Sequence, residues 1–160
     1  MTPQLSWPAL LARGRRWAHM AAAPRKSVEE FARTLPPRKH AAVRIVRGGH
    51  CLTKGEVFDE FARALDFPSY FGKNWDALED CLTDLEWLSA ESFVVIVTNA
   101  DRVLASSAED WKTCTAVLGA AAAHWASADG AASFHVLFHC EPANADELRA
   151  RLTEGGIAVA

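Results

Sequence analysis

Apolar residues recur with two periods along the chain. Phe93-Val94-Val95-Ile96-Val97 is one continuous β-branched run, the pattern of a central strand covered on both faces. Val43, Ile45 and Val46 form a shorter stretch ended by Gly48-Gly49, and Phe134 to Phe138 form another. Both read as strands. Between them the spacing lengthens to three or four. Phe58, Phe61 and Leu65 make one such series, and Trp75, Leu78, Leu82 and Leu85 a second. Trp111, Cys114, Leu118, Ala121 and Trp125 make the longest, and Leu148 with Leu152 the last. Each places an apolar stripe on one side of a helix.

Polar residues punctuate these helices. Thr53 and Glu56 form a capping box, with Leu52 and Val57 placed to close a hydrophobic staple. Asn74 can cap a helix from Trp75 to about Trp87. Ser106 with Glu109 opens the longest helix, and Asn144 with Glu147 opens the last, which Gly155 stops. Ile157 to Val159 is a candidate edge strand. The order is strand, two helices, strand, helix, strand, helix. It predicts an α/β fold: a small three-stranded parallel sheet with right-handed crossovers and about four helices.

This domain spans residues 41–160. Residues 1–40 read as a proline-bearing N-terminal extension with one short helix, opened by a Ser27/Glu30 capping box before Phe31 and Leu35 and closed by Pro36-Pro37.

Composition narrows the class. Half of the 160 residues are hydrophobic and 23% are charged, enough to bury a core and too apolar for disorder throughout. No run approaches the roughly 18 apolar residues of a membrane span, and no signal peptide pattern opens the chain. The expectation is a cytoplasmic protein. Cys51, Cys81, Cys114 and Cys140 lie far apart, as free buried thiols do. No glycine-rich phosphate loop follows a strand, so nucleotide binding lacks its key part.

Charge is uneven. Residues 1–50 hold ten Lys or Arg against Glu29 and Glu30. Residues 66–91 hold seven acids against Lys73 alone. A concentrated negative patch attracts basic partners and repels nucleic acid. Within it, Asp76, Asp80 and Asp84 are spaced i, i+4, i+8 along one helix face. Like charges at that spacing destabilise a helix by a few tenths of a kcal/mol per pair, and no base lies between Asp76 and Glu91. Glu79 and Glu86 add to the field from the side. Tyr70, Phe71, Asn74 and Trp75 sit immediately before, and aromatic residues are enriched at binding hot spots.

The stretch from Phe67 to Leu85, with Tyr70-Phe71-Gly72, Asn74, Asp76-Ala77-Leu78, Asp80-Cys81-Leu82, resembles the signature of the barstar family, intracellular inhibitors of the ribonuclease barnase. The element order from Ala41 onward is similar too, and residues 1–40 fall outside the likeness. The resemblance implies a ribonuclease inhibitor, bacterial and cytoplasmic, that is no enzyme, needs no cofactor or metal, and is monomeric when free. It also implies roles. Asp80 would sit where the substrate phosphate lies, Asp76 would pair with a base at the cleft, Tyr70 would pack on the partner and Asn74 would hydrogen-bond at the rim. The expected partner-binding set is Tyr70, Phe71, Gly72, Asn74, Trp75, Asp76, Glu79, Asp80 and Asp84. The expected partner is a basic ribonuclease, barnase-like or the nuclease domain of a toxin. In the second case the chain is an antitoxin or immunity protein. There are departures: Trp75 replaces a leucine, Glu79 and Leu85 replace tryptophans, and Asp84 replaces a glycine. The later helix offers Ala120 to Ala126 with His124, where the family brings an acid.

Other chemistry carries less weight. His135 and His139 share a strand face beside Cys140, a conceivable metal site without a complete ligand set. Arg13, Arg15 and Arg16 with Trp7 and Trp17 would suit an RNA-associated regulator, but one short cluster is a weak footprint, and direct nucleic-acid binding is not expected. Three carboxylates on one exposed face would all stay ionised, so acid–base catalysis is not expected.

Overall fold

The computed structural model describes residues 5–7, 16–34, 41–127 and 133–159. Four parallel strands form one sheet: β1 (Ala18–Ala22), β2 (Ala41–Arg47), β3 (Ser92–Thr98) and β4 (Ser133–Cys140), in the order β1-β4-β3-β2. Among the described residues five helices accompany them: α1 (Arg25–Arg33), α2 (Lys54–Leu65), α3 (Trp75–Asp84), α4 (Ala108–Ser127) and α5 (Ala145–Glu154). All seven residues of β3 are buried between β2 and β4, and the five from Phe93 to Val97 form the unbroken apolar run that such a strand calls for.

The sheet therefore has four strands where the sequence predicts three, while the described helices are the four expected after Ala41 and the one expected in the extension. The added strand is β1, from the segment read as an extension. Its sequence, Ala-His-Met-Ala-Ala, has no β-branched residue and little alternation. It is extended because β4 offers it a ladder, with Ala18 opposite Val136 and Ala22 opposite Cys140.

The two sheet faces carry separate cores. One face packs Val46, Val95, Val97, Val136 and Phe138 against Phe61, Leu78, Leu82, Leu118 and Leu148 of α2 to α5. The other sets Val94, Ile96 and Leu137 under Ala21, Val28 and Trp7, with Trp7 stacked on Phe31 at 4.3 Å. Trp7, Val28 and Phe31 thus help to cover the second face.

Most helix boundaries follow the sequence. The Thr53/Glu56 box forms in both directions, although Leu52 keeps 41% of its surface exposed and is a poor staple. Five details differ, the first being that the Asn144 side chain makes no cap hydrogen bond at α5. α1 begins at Arg25 after Pro24, which leaves Ser27 inside the helix with its N–H on the Pro24 carbonyl. The α4 cap is Ser107, whose hydroxyl accepts from the Asp110 N–H, and not Ser106. α3 stops at Asp84, because Leu85 turns left-handed (φ 49°) and Glu86–Leu88 form a separate 3-10 turn. Residues 157–159 form no strand, and the Ile157 N–H closes the end of α5 on the Leu152 carbonyl. Gly48 is required after β2: a Cβ there would lie 2.2 Å from the Thr98 carbonyl oxygen, where no side chain fits.

Candidate functional site

α3 starts where Asn74 accepts the Ala77 N–H through Oδ1 at 2.8 Å. It buries Leu78, Cys81 and Leu82 against the core and leaves Asp76, Glu79, Asp80 and Asp84 exposed on the other side. Two tryptophans fix its position. Trp125 of α4 donates its indole N–H to the Leu82 carbonyl, and Trp87 donates to the Leu65 carbonyl at the end of α2, each at 2.8 Å. Both bonds use partly buried donors, so the acidic face is held on rigid supports.

The expected site residues divide into two groups. Phe71 and Trp75 turn partly inward and join an aromatic cluster. Trp75 meets Phe58 edge-on at 4.9 Å, and Phe71 meets Phe67 at 4.9 Å and Phe58 at 6.2 Å. Asn74 is committed to the cap, with its Nδ2 on the Gly72 carbonyl at 3.4 Å. These residues shape and brace the segment. Tyr70 points outward and is 72% exposed. Partial desolvation, then Asp84, Cys81 and Glu86, hold its phenol above the ordinary value, so the aromatic ring and the acids share one region of surface. Gly72 is exposed too, and Lys73 beside it takes a left-handed conformation (φ 52°) that turns the chain into the cap.

Among the described residues, no base pairs with the acids of α3. Lys73, the base inside the acidic segment, reaches Asp59 on α2 at 3.1 Å, and Arg44 takes Asp66 at 2.8 Å. Among the described residues, every ion pair lies on Glu29, Asp59, Glu60 or Asp66. Asp76, Glu79, Asp80, Asp84, Glu86 and Glu91 have none. Neither a turn into the interior nor capture by the chain's own arginines disarms this face among those residues.

Other candidate chemistry is used up structurally. Both ring nitrogens of His139 are engaged: Nδ1 accepts the Asn99 N–H at 3.0 Å and Nε2 donates to the Ala23 carbonyl at 2.7 Å. No lone pair is left for a metal. His135 lies 3.3 Å from Nε2 of His19 through its Nδ1. The four cysteines are free and buried. Burial pushes Cys51 and Cys114 up to about 12 and Cys140 to about 11, so these three stay as thiols with little nucleophilic character. Arg13 and Arg15 lie outside the described residues.

One strongly shifted carboxylate was not apparent from spacing. Glu60, 4% exposed, receives Arg47 and Arg63 at 2.8 and 2.7 Å. Burial alone would raise its pKa, but hydrogen bonds from Arg63 and Arg47 hold it at about 2. The Arg47 N–H and the Ile45 carbonyl on strand β2 are taken by the same group of side chains, so Glu60 and its arginines occupy backbone positions on the outer edge of the sheet. This is a structural use of charge, since every member is already paired.

Fold and site together define a small parallel α/β protein that displays an acidic helix, unpaired among the described residues and braced by aromatic residues. The chain belongs to the barstar family: the family described as Barstar (barnase inhibitor) matches residues 41–139. A search of curated proteins finds no match. Among solved structures, the chain is similar to one in Drosophila ORC bound to AT-rich DNA and Cdc6, with 18% identity and a TM-score of 0.51, covering 96% of this chain and 50% of that one. It is similar also to one in Drosophila ORC bound to GC-rich DNA and Cdc6, with 16% identity, a TM-score of 0.53, and coverage of 96% and 51%. The chain spans about half the length of those chains, and the likeness is one of fold alone. No described helix is long and apolar enough to cross a membrane.

Proposed function

We propose that this protein inhibits a basic ribonuclease by laying the Asp76–Asp80–Asp84 face of α3 into the substrate cleft. The observation that carries the reading is a row of exposed carboxylates without an internal cation, on a helix pinned by Trp87 and Trp125. A ribonuclease binds a polyanion, so its cleft is basic. A carboxylate can take the place of a phosphate oxygen, and its bonds to arginine are of the stronger, charge-assisted kind. The negative field also speeds encounter with such a partner. Asp80, at the centre of the row, is the anchor. Asp76 and Asp84 flank it, and Tyr70 packs at the margin. The proposed site lies within residues 41–139, the family-matched part, while Ala18–Ala22 complete the sheet and Trp7 and Val28 its second core.

The test is a titration of the purified protein against basic ribonucleases with a fluorescent RNA substrate. Tight inhibition that weakens with added salt is expected. Asp80→Ala should weaken inhibition at least a hundred-fold (about 3 kcal/mol) with an unchanged melting temperature. A variant that inhibits as well as the wild type removes Asp80 from this role.

A further inference from the structure

At the C-terminal end of α3 lies an open hollow of about 400 Å³. Its floor is apolar: Phe93 and Trp125 stand 5.0 Å apart between ring centroids, with Ala90 beside them. Its rim is anionic, formed by Asp84, Glu86 and Glu91. Phe93 is buried and Trp125 half-buried, while the three carboxylates are exposed. The chain reaches this arrangement through two left-handed residues, Leu85 (φ 49°) and Ser89 (φ 48°), on either side of the short turn. The indole of Trp125 is held in place by its bond to the Leu82 carbonyl. Among the described residues no ion pair involves the three acids.

We infer that this hollow receives an arginine side chain of the docked ribonuclease, a contact that rests on the function proposed above and adds to it a second anchor beyond Asp80. The shape and the charge agree on the occupant. A guanidinium is flat and can lie on the Trp125 ring. Its five N–H donors point outward in the plane, toward carboxylates placed on several sides. A neutral side chain would leave three carboxylates losing water without a counter-charge, which is costly. A lysine would satisfy the charge but not the flat aromatic floor. Asp84 belongs both to the hollow and to the acidic row of α3, so a protein seated on Asp76 and Asp80 also covers the hollow.

The test uses the whole protein and a small probe, Nα-acetyl-arginine methylamide, with Nα-acetyl-norleucine methylamide as the uncharged control. The Trp125 indole N–H signal, assigned by its loss in Trp125→Phe, is followed by NMR. A saturable shift with the arginine probe is expected, absent with norleucine and about tenfold weaker in affinity in Glu86→Gln/Glu91→Gln. Both substitutions are on exposed residues, and retained dispersion of the remaining amide signals shows that the variant is folded. No saturable shift, or an equal shift in the double variant, overturns the inference. No ribonuclease is present in this measurement, so its failure leaves the inhibitor reading standing. Conversely, no inhibition of any basic ribonuclease by the wild-type protein sinks that reading, whereas the probe titration reports separately whether the hollow takes an arginine side chain.

Discussion

On α2, Glu60 is 4% exposed and gripped by two arginines. On α3, the neighbouring helix in sequence, Asp76, Asp80 and Asp84 are exposed with no ion pair among the described residues. The same functional group thus serves opposite ends. A buried carboxylate must find its hydrogen-bond and charge partners inside the fold, because no water remains to solvate it. An exposed carboxylate needs none, so its field stays available to a second molecule. Repulsion along α3 is the cost of that availability, and it is small because water screens it.

The largest expected effect falls on the paired side. Glu60→Ala leaves two arginines and a β2 amide without their partner and should lower stability by about 3 kcal/mol, read by urea denaturation. Inhibition by the folded fraction should be unchanged. A comparable loss of binding would mean the two helices are not independent. Asp80→Ala is the reciprocal case, expected to damage inhibition at least as strongly as Glu60→Ala damages stability while the denaturation midpoint stays put.

A pH series sharpens the contrast. Glu60 titrates at about 2 in the folded chain against 4.5 as an ordinary glutamate. Its contribution is therefore fully present above pH 4.5 and is lost as pH falls through the folded value. The stability difference between wild type and Glu60→Gln should shrink by about 2–3 kcal/mol over that window. A difference that does not change there would show that the ion pairs do not stabilise the fold.

Trp125→Phe removes the indole donor to Leu82 and should lower stability by about 1 kcal/mol; a thermal melt detects it. Smallest is Asp84→Asn, which relieves like-charge repulsion with Asp80 and should raise stability by about 0.3 kcal/mol while weakening inhibition.

Much of the site was legible because it is local. Asn74 caps α3 through a bond three residues long, and the i, i+4, i+8 spacing of the aspartates sets their common face wherever the helix lies. The central strand was equally plain, since five consecutive apolar residues, Phe93 to Val97, suit a strand buried on both faces. What escaped depends on distant partners. β1 has weak strand propensity and is extended only because β4 lies alongside. The packing of Phe71 and Trp75 on Phe58 and Phe67 is invisible until the fold sets these rings side by side. Glu60 looks like one more helix glutamate until Arg47 arrives from β2.

By itself the amino-acid order determined the helices, the Thr53 and Asn74 caps, three of the four strands and the acidic row, because these depend on periodicity and on contacts within a few residues. Only the tertiary structure decided which acids would be neutralised, which aromatic residues would be spent on packing, and that residues 18–22 would complete the sheet. Those outcomes turn on which side chains meet across long stretches of chain, and a charge or a ring acquires its role only from the neighbour it meets.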